Sequence, residues 1–148
     1  LIPDLKNWIK EDKPLLGICL GLQLLFESSD EGYARGLNIL KGKVKRLPAN
    51  QGERIPHMGW ALLNHQNKCP LMEESDKSIW MYFVHSYAAI PSEENDVSAT
   101  TKFGDANLTA IVWRGRMGAC QFHPEKSGLA GQQMLSRWVK WLENGAEI

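Results

Sequence analysis

A chain of 148 residues with 43% hydrophobic content is one domain's worth of material, long enough to bury about 68–70% of the surface its unfolded form exposes. Seventeen basic and seventeen acidic residues cancel, so no net field would hold a polyanion, and neither a nucleic-acid motif nor a basic stripe is present. No apolar run nears the roughly 18 residues of a membrane span, and the first residues lack a secretory layout, so the chain reads as soluble and cytoplasmic.

The chain opens on an amphipathic helix with Leu5, Trp8 and Ile9 on one face and Pro14 as its stop. Leu15 to Ile18 is a brief apolar run without polar alternation, which suits a strand covered on both faces in a parallel sheet. Residues 20–26 then read as helix. Cys19 therefore falls in a strand-to-helix turn, with Gly17 and Gly21 on either side to permit the sharp bend. At a helix N-terminus its thiol pKa is predicted to be lowered.

Six strand-like runs follow, at 42–47, 55–63, 78–87, 97–103, 108–114 and 117–122. Lys41, Lys43 and Lys45 alternate along the first of them, as a solvated strand face or the guard of a sheet edge. The polar stretch 91–96 reads as a surface loop. Phe103-Gly104-Asp105 and Arg114-Gly115-Arg116 are short enough for hairpins, so some neighbouring strands must be antiparallel. A last helix, 129–144, sets Leu135, Trp138, Val139 and Leu142 at helical spacing, with Gly145 as its stop. Together these elements make one α/β domain with a mixed sheet.

Three cysteines cannot all pair, and none sits in a CxxC or Cys/His spacing that would hold zinc. Cys69, ahead of Pro70 at a predicted helix start, and Cys120, inside a predicted strand, read as small buried apolar side chains. His57, His65 and His85 show no metal-ligand grouping and read as structural or surface residues. Only Cys19 has an elbow around it. Far along the chain, His123 and Glu125 are two apart, so in an extended segment both point to one side, while Pro124 bars helix. If one imidazole nitrogen faces the Cys19 sulfur, Glu125 on the other fixes the tautomer and steadies the imidazolium, the logic of a nucleophilic triad.

Four segments carry a wider resemblance: Gly17-Ile18-Cys19-Leu20-Gly21-Leu22-Gln23-Leu24-Leu25-Phe26, His57-Met58-Gly59-Trp60, Tyr82-Phe83-Val84-His85-Ser86-Tyr87 and Gln121-Phe122-His123-Pro124-Glu125-Lys126-Ser127. On these the chain resembles the class I, triad-type glutamine amidotransferases. The middle two segments are most similar to the branch that forms the glutaminase subunits of imidazole glycerol phosphate synthases. The resemblance spans nearly the whole chain. It implies an α/β fold with a mixed, mostly parallel sheet flanked by helices. It also implies that residues 1–148 form a glutaminase domain that begins near the middle of the family's sheet. The N-terminal strands, and the Pro/Gly-rich loop that supplies a second oxyanion donor, would then be missing.

The same resemblance implies roles. Cys19 would attack the carboxamide of glutamine, His123 would carry the proton to the departing ammonia, and Glu125 would hold His123. Leu20 would offer a backbone N–H to the oxyanion. Gln23 and Glu31 match positions lining the glutamine pocket, and Ser86 and Tyr87 match a strand that meets the substrate from the other side. Trp60, Tyr82 and Lys126 match positions at or near the interface with a (β/α)8-barrel cyclase. In a heterodimer, that cyclase would use the ammonia to make imidazole glycerol phosphate and AICAR in histidine biosynthesis. No cofactor and no metal are implied. Ala61 stands where the family usually has asparagine. Three other functions stay open: the same chemistry serving a paralogous amidation pathway, a stand-alone γ-glutamyl hydrolase, and a non-catalytic scaffold for a barrel subunit.

Overall fold

The structure, a computed structural model, describes residues 1–30, 35–48, 53–76 and 78–148. In chain order it contains α1 (Ile2–Lys10), β1 (Leu15–Ile18), α2 (Leu20–Leu24), β2 (Ser28–Ser29), β3 (Gly42–Arg46), β4 (His57–Leu62), β5 (Asn64–His65), β6 (Trp80–His85) and β7 (Tyr87–Pro91). A 3-10 turn (Glu94–Asp96) leads to β8 (Val97–Phe103), β9 (Ala106–Arg114) and β10 (Met117–Cys120). A second 3-10 turn (Pro124–Lys126) precedes α3 (Gly128–Glu143).

Five strands form the main sheet in the order β1-β10-β9-β8-β5. β1 runs parallel to β10, from Leu15 opposite Met117 to Ile18 opposite Cys120, and the other neighbours are antiparallel. A three-stranded sheet, β2-β3-β7, and a two-stranded ribbon, β4-β6, complete the set. The α/β class and the mixed pairing stand as expected. The mostly parallel balance does not: among the described residues, parallel pairing is confined to β1 with β10 and β2 with β3. The reason is local. Gly104 and Gly115 take φ of +60° and +61° in the tight turns after β8 and β9, which send each strand straight back beside its predecessor. A parallel pair would need a long crossover.

The main sheet is covered on both faces. Leu108 through Trp113 of β9 are all buried. On one side Ile111, Trp113, Cys120 and Phe122 pack with Met81 and Phe83 of the ribbon and Met134 of α3. On the other, Val112, Met117 and Ala119 pack against Leu22, Phe26 and Val44. β10 thus sends Met117 and Ala119 one way and Cys120 the other, as strand periodicity requires. Burying Phe122 alone contributes about 1.5–3 kcal/mol, and its ring meets Phe83 edge-on with centroids 5.5 Å apart. That packing fixes the segment carrying His123.

Three local expectations change. The run 78–87 is two strands in different sheets, and Ser86 is the corner between them, its carbonyl accepting from Leu47 N at 2.9 Å. Cys69 and Pro70 open a turn rather than a helix, closed by Met72 N donating to Cys69 O at 3.3 Å. Lys43 and Lys45 do form a solvated face around buried Val44, but in the middle strand of its sheet and not at an edge. Among the described residues no helix is long and apolar enough to cross a membrane.

Candidate active site

Cys19 occupies the turn between β1 and α2 with φ 54° and ψ −104°. For a residue with a Cβ this left-handed conformation costs of order 1–3 kcal/mol and persists only where its surroundings enforce it. They do: Cys19 N donates to Cys120 O at 2.7 Å, extending the parallel ladder past β1, and Leu22 N donates to Cys19 O at 3.1 Å. The flanking glycines are not equivalent. A Cβ on Gly17 would stand 3.0 Å from the Gly21 carbonyl carbon and 3.1 Å from Ala119 Cβ, whereas one on Gly21 would meet nothing. Gly17 is there for the close approach of α2 to the sheet, and the cysteine itself bears the strain.

The thiol does not follow the helix-dipole expectation. Its pKa is raised, first by burial, with Glu125 adding to the rise, while the Leu20 N–H, the Gln121 amide and Lys126 oppose it. α2 has only five residues, too short to carry a strong dipole, so desolvation wins.

Beyond β10 the chain stays extended. Gln121 N donates to Ala110 O at 2.8 Å and His123 N to Tyr82 O at 3.0 Å, so His123 is tied to β6. Its Nδ1 lies 3.1 and 3.3 Å from the two Glu125 carboxylate oxygens. A carboxylate can only accept, so Nδ1 carries the proton and Nε2 is left as the free base. The turn after it is closed by Ser127 Oγ donating to His123 O at 2.6 Å while accepting from Tyr82 N at 2.9 Å. α3 seats directly on that turn, since a Cβ on Gly131 would lie 1.9 Å from Pro124 O.

The parallel register of β1 with β10 decides what meets what. Cys19 and the 121–125 segment leave the same carboxyl end of adjacent strands, the place where open α/β sheets hold ligands. The sulfur senses the charges of Glu125 and Lys126. Its side-chain hydrogen bond comes from Gln121 Nε2 at 3.7 Å, and among the described residues none links it to His123.

The remaining expected residues fall as follows. Leu20 starts α2, its side chain 58% exposed and its N–H on the sulfur. Gln23 is buried, and its Nε2 donates to Tyr87 O at 3.1 Å and to Gln121 Oε1 at 3.2 Å. Ser86 and Tyr87 are half-buried at the β6–β7 corner beside it. Glu31 lies outside the described residues. Trp60 and Tyr82 face each other across the ribbon, rings edge to face at 6.0 Å. Trp60 is 54% exposed, so it is no core side chain, and Lys126 is exposed as well. Ala61 points the other way, into the core.

Two features escaped the sequence reading. One is Gln121, which sits between Gln23 and Cys19. The other is a histidine pair: His57 and His85 are register partners, with His57 Nδ1 3.0 Å from His85 Nε2. His85 Nδ1 lies 2.8 Å from Tyr87 O, the same carbonyl that Gln23 bonds. A carbonyl only accepts, so His85 carries its proton on Nδ1 and its Nε2 accepts a hydrogen bond from His57 Nδ1–H. Burial pushes the pKa of His85 down to about 4 and lowers that of His57. A histidine at one end of each of two strand-like runs is the signal that pairing could have used. Among the described residues no three His, Cys, Asp or Glu side chains are grouped to hold a metal.

Known proteins extend this picture. The model of the family "Glutamine amidotransferase class-I" matches residues 2–141. The chain is 67% identical over 147 residues to imidazole glycerol phosphate synthase subunit HisH 2 of Prochlorococcus marinus (strain MIT 9313), covering 99% of this chain and 69% of that one. It is 64% identical over 147 residues to imidazole glycerol phosphate synthase subunit HisH of Synechococcus sp. (strain CC9605), with the same coverage of 99% and 69%. Among solved structures, PurLQS from Thermotoga maritima superposes with a TM-score of 0.73 at 20% identity, over 95% of this chain and 68% of that one. At that identity the likeness speaks for the fold alone. The strained cysteine turn, the His-Glu pair beside it and the family match over nearly all of the sequence agree: the chain belongs to the class-I glutamine amidotransferase family.

Proposed function

We propose that this chain is the glutaminase subunit of an imidazole glycerol phosphate synthase, releasing ammonia from glutamine for a cyclase subunit in histidine biosynthesis. The observation that carries it is the exit of Cys19 and of the His123–Glu125 pair from the same end of adjacent parallel strands. Identities of 67% and 64% to synthase subunits, against 20% to PurLQS, favour this branch over a paralogous amidation pathway. Residues 1–148 belong to one glutaminase domain, cytoplasmic, paired with a (β/α)8-barrel cyclase.

In this reading Cys19 Sγ attacks the carboxamide carbon while His123 Nε2 takes the thiol proton and delivers it to the departing nitrogen. Ammonia leaves and a glutamyl thioester remains. The same imidazole nitrogen then takes a proton from water, whose oxygen attacks the thioester; glutamate departs, and the proton returns to sulfur. Glu125 stays ionised throughout, accepting from Nδ1 and steadying the imidazolium. The Leu20 N–H donates to the oxygen that becomes anionic. Gln23, Glu31, Ser86 and Tyr87 border the substrate. Both donors of Gln23 are already engaged, which leaves its Oε1 for the substrate's ammonium. Catalytic contacts of this kind often tighten only around the reacting molecule, and closure of the Cys19–His123 pair belongs to that step.

Ammonia released into water is protonated and lost, so the partner must sit over the site. Trp60 and Tyr82 supply an aromatic anchor and Lys126 a cation beside the catalytic turn. The test is Cys19→Ser in the complex with the cyclase. Synthesis from glutamine should vanish while synthesis from added ammonia persists. Loss of both would overturn the division of labour. Equal glutamine turnover with and without the cyclase would mark a stand-alone hydrolase, and a wild-type complex that uses ammonia but never glutamine would mark a scaffold.

A further inference from the structure

We propose that Gln121 is a positioning residue for the Cys19 nucleophile, its side-chain amide locked so that an N–H faces the sulfur. This rests on the reading of Cys19 as the nucleophile. The lock follows from what each atom can do. Tyr87 O is a backbone carbonyl and only accepts, so the Gln23 atom 3.1 Å away is its NH2 nitrogen. That same nitrogen is 3.2 Å from the Gln121 side chain, and two donors cannot bond, so Gln121 presents its oxygen there. Its own nitrogen is thereby turned to Cys19 Sγ, at 3.7 Å.

The arrangement is rigid and dry. Gln121 has no exposed surface, its backbone N donates to Ala110 O at 2.8 Å, and Phe122 beside it is buried in the core. A donor held this way strengthens as the sulfur becomes negative, because hydrogen bonds to charged groups outweigh those between neutral ones. It also acts without adding a charge. The other groups facing the sulfur are the Leu20 N–H from α2 and Glu125 and Lys126, of opposite sign, from the 3-10 turn. The buried Cys120 thiol flanks it from β10, and His123 lies on the segment beyond. Half-buried Cys19 must lose a proton against desolvation, and Gln121 is the donor that the fold aims at it from inside the core.

The test reads the sulfur directly, in the full chain bound to the cyclase. The pH dependence of Cys19 alkylation by iodoacetamide, followed on the mapped peptide, gives the thiol midpoint. Gln121→Met should raise that midpoint by about one pH unit and lower glutamine kcat about tenfold at neutral pH with little change in KM. Gln121→Glu, which keeps the shape but replaces the donor by a carboxylate, should raise the midpoint at least as far. Unchanged midpoints in both would overturn the proposal. Since a buried substitution can disturb folding, the wild-type protein supplies a second measurement: the side-chain amide resonances of Gln121 should titrate with the alkylation midpoint and stop doing so in Cys19→Ser. Resonances that ignore pH across the midpoint would overturn the contact itself. A wild-type complex inert to glutamine, with Cys19 and Gln121 still titrating together, would instead overturn the glutaminase reading and with it the catalytic role, leaving the contact intact.

Discussion

Cys19 and the His57–His85 pair are held by different means. The cysteine is placed by backbone: a left-handed φ, two main-chain hydrogen bonds and a glycine that lets α2 press against the sheet. The histidines are placed by side chains, through a ring-to-ring hydrogen bond, a bond to Tyr87 O and packing of His57 on Phe83 and Phe103 with centroids 5.0 and 5.3 Å away. Both arrangements end on the same carbonyl, which accepts from His85 on one account and from Gln23 on the other. The comparison separates two kinds of residue. Side chains at the strand ends can be changed with loss of rate and little loss of fold, whereas the ribbon pair belongs to the packing and its disturbance should register as instability.

The largest effect tests the first half. His123→Ala should lower glutamine kcat/KM by roughly 10³–10⁴-fold, since it removes the group proposed to move both protons. Its ring is 19% exposed and its polar contact is to Glu125 rather than to the core, so urea unfolding should shift by no more than about 2 kcal/mol. A loss of stability as large as the loss of transition-state binding would break the comparison.

The second half is tested by pH. His85 has a folded pKa of about 4 against an ordinary 6.5, because burial disfavours its charged form. As pH falls, the unfolded chain therefore takes up the proton first. Stability from this group is full above about pH 6.5 and is lost progressively down to about pH 4, by up to about 3 kcal/mol. His57, also lowered by burial, adds in the same direction. Urea unfolding at steps across this window should show the slope, and His85→Gln, which keeps a donor for Tyr87 O, should flatten it. A flat profile in the wild type would mean that the pair is not buried neutral.

Glu125 sharpens the division, because it is exposed and yet bonded to His123. Glu125→Gln should reduce glutamine kcat by roughly 10²-fold, the lower end of what positioned acid–base groups supply, with KM nearly constant. A KM increase at constant kcat would make Glu125 a substrate-binding residue instead.

How much of this could be read in advance depended on range. The Cys19 turn was legible because its signal is short: an apolar run, a cysteine and two glycines. β8 falls at its expected bounds, Val97–Phe103, and α3 lies within a residue of expectation, since Gly104 turns the chain after the strand and Gly128 and Gly145 bracket the helix. The run 78–87 misled because apolar side chains continue across Ser86 with no turn residue. The change of sheet there is made by a distant partner, Leu47 N. The thiol pKa went the wrong way because proximity to a helix start is visible in a sequence and burial is not. Gln23 and Gln121 meet across 98 positions and His57 and His85 across 28, so each looked like an isolated polar residue inside a motif. The Glu125 contact with His123, two positions apart, was legible for the opposite reason.

The smallest effect concerns the outer face of the same ribbon that holds the histidines. Trp60 is more than half exposed, and its clearest contact is the edge-to-face ring of Tyr82, a pair worth about 0.5–1.5 kcal/mol beyond its buried area. Trp60→Ala should therefore cost the isolated chain under about 1 kcal/mol of stability. If this face receives the cyclase, the same substitution should weaken the complex by about 1–2 kcal/mol, close to tenfold in Kd, measured by titrating one subunit with the other. Glutamine turnover by the isolated chain should stay where it was, because Trp60 touches neither Cys19 nor His123. A change in that turnover with no change in Kd would move Trp60 from the docking face to the site. The ribbon's inner histidines and outer aromatics would then have to be treated as one unit rather than two.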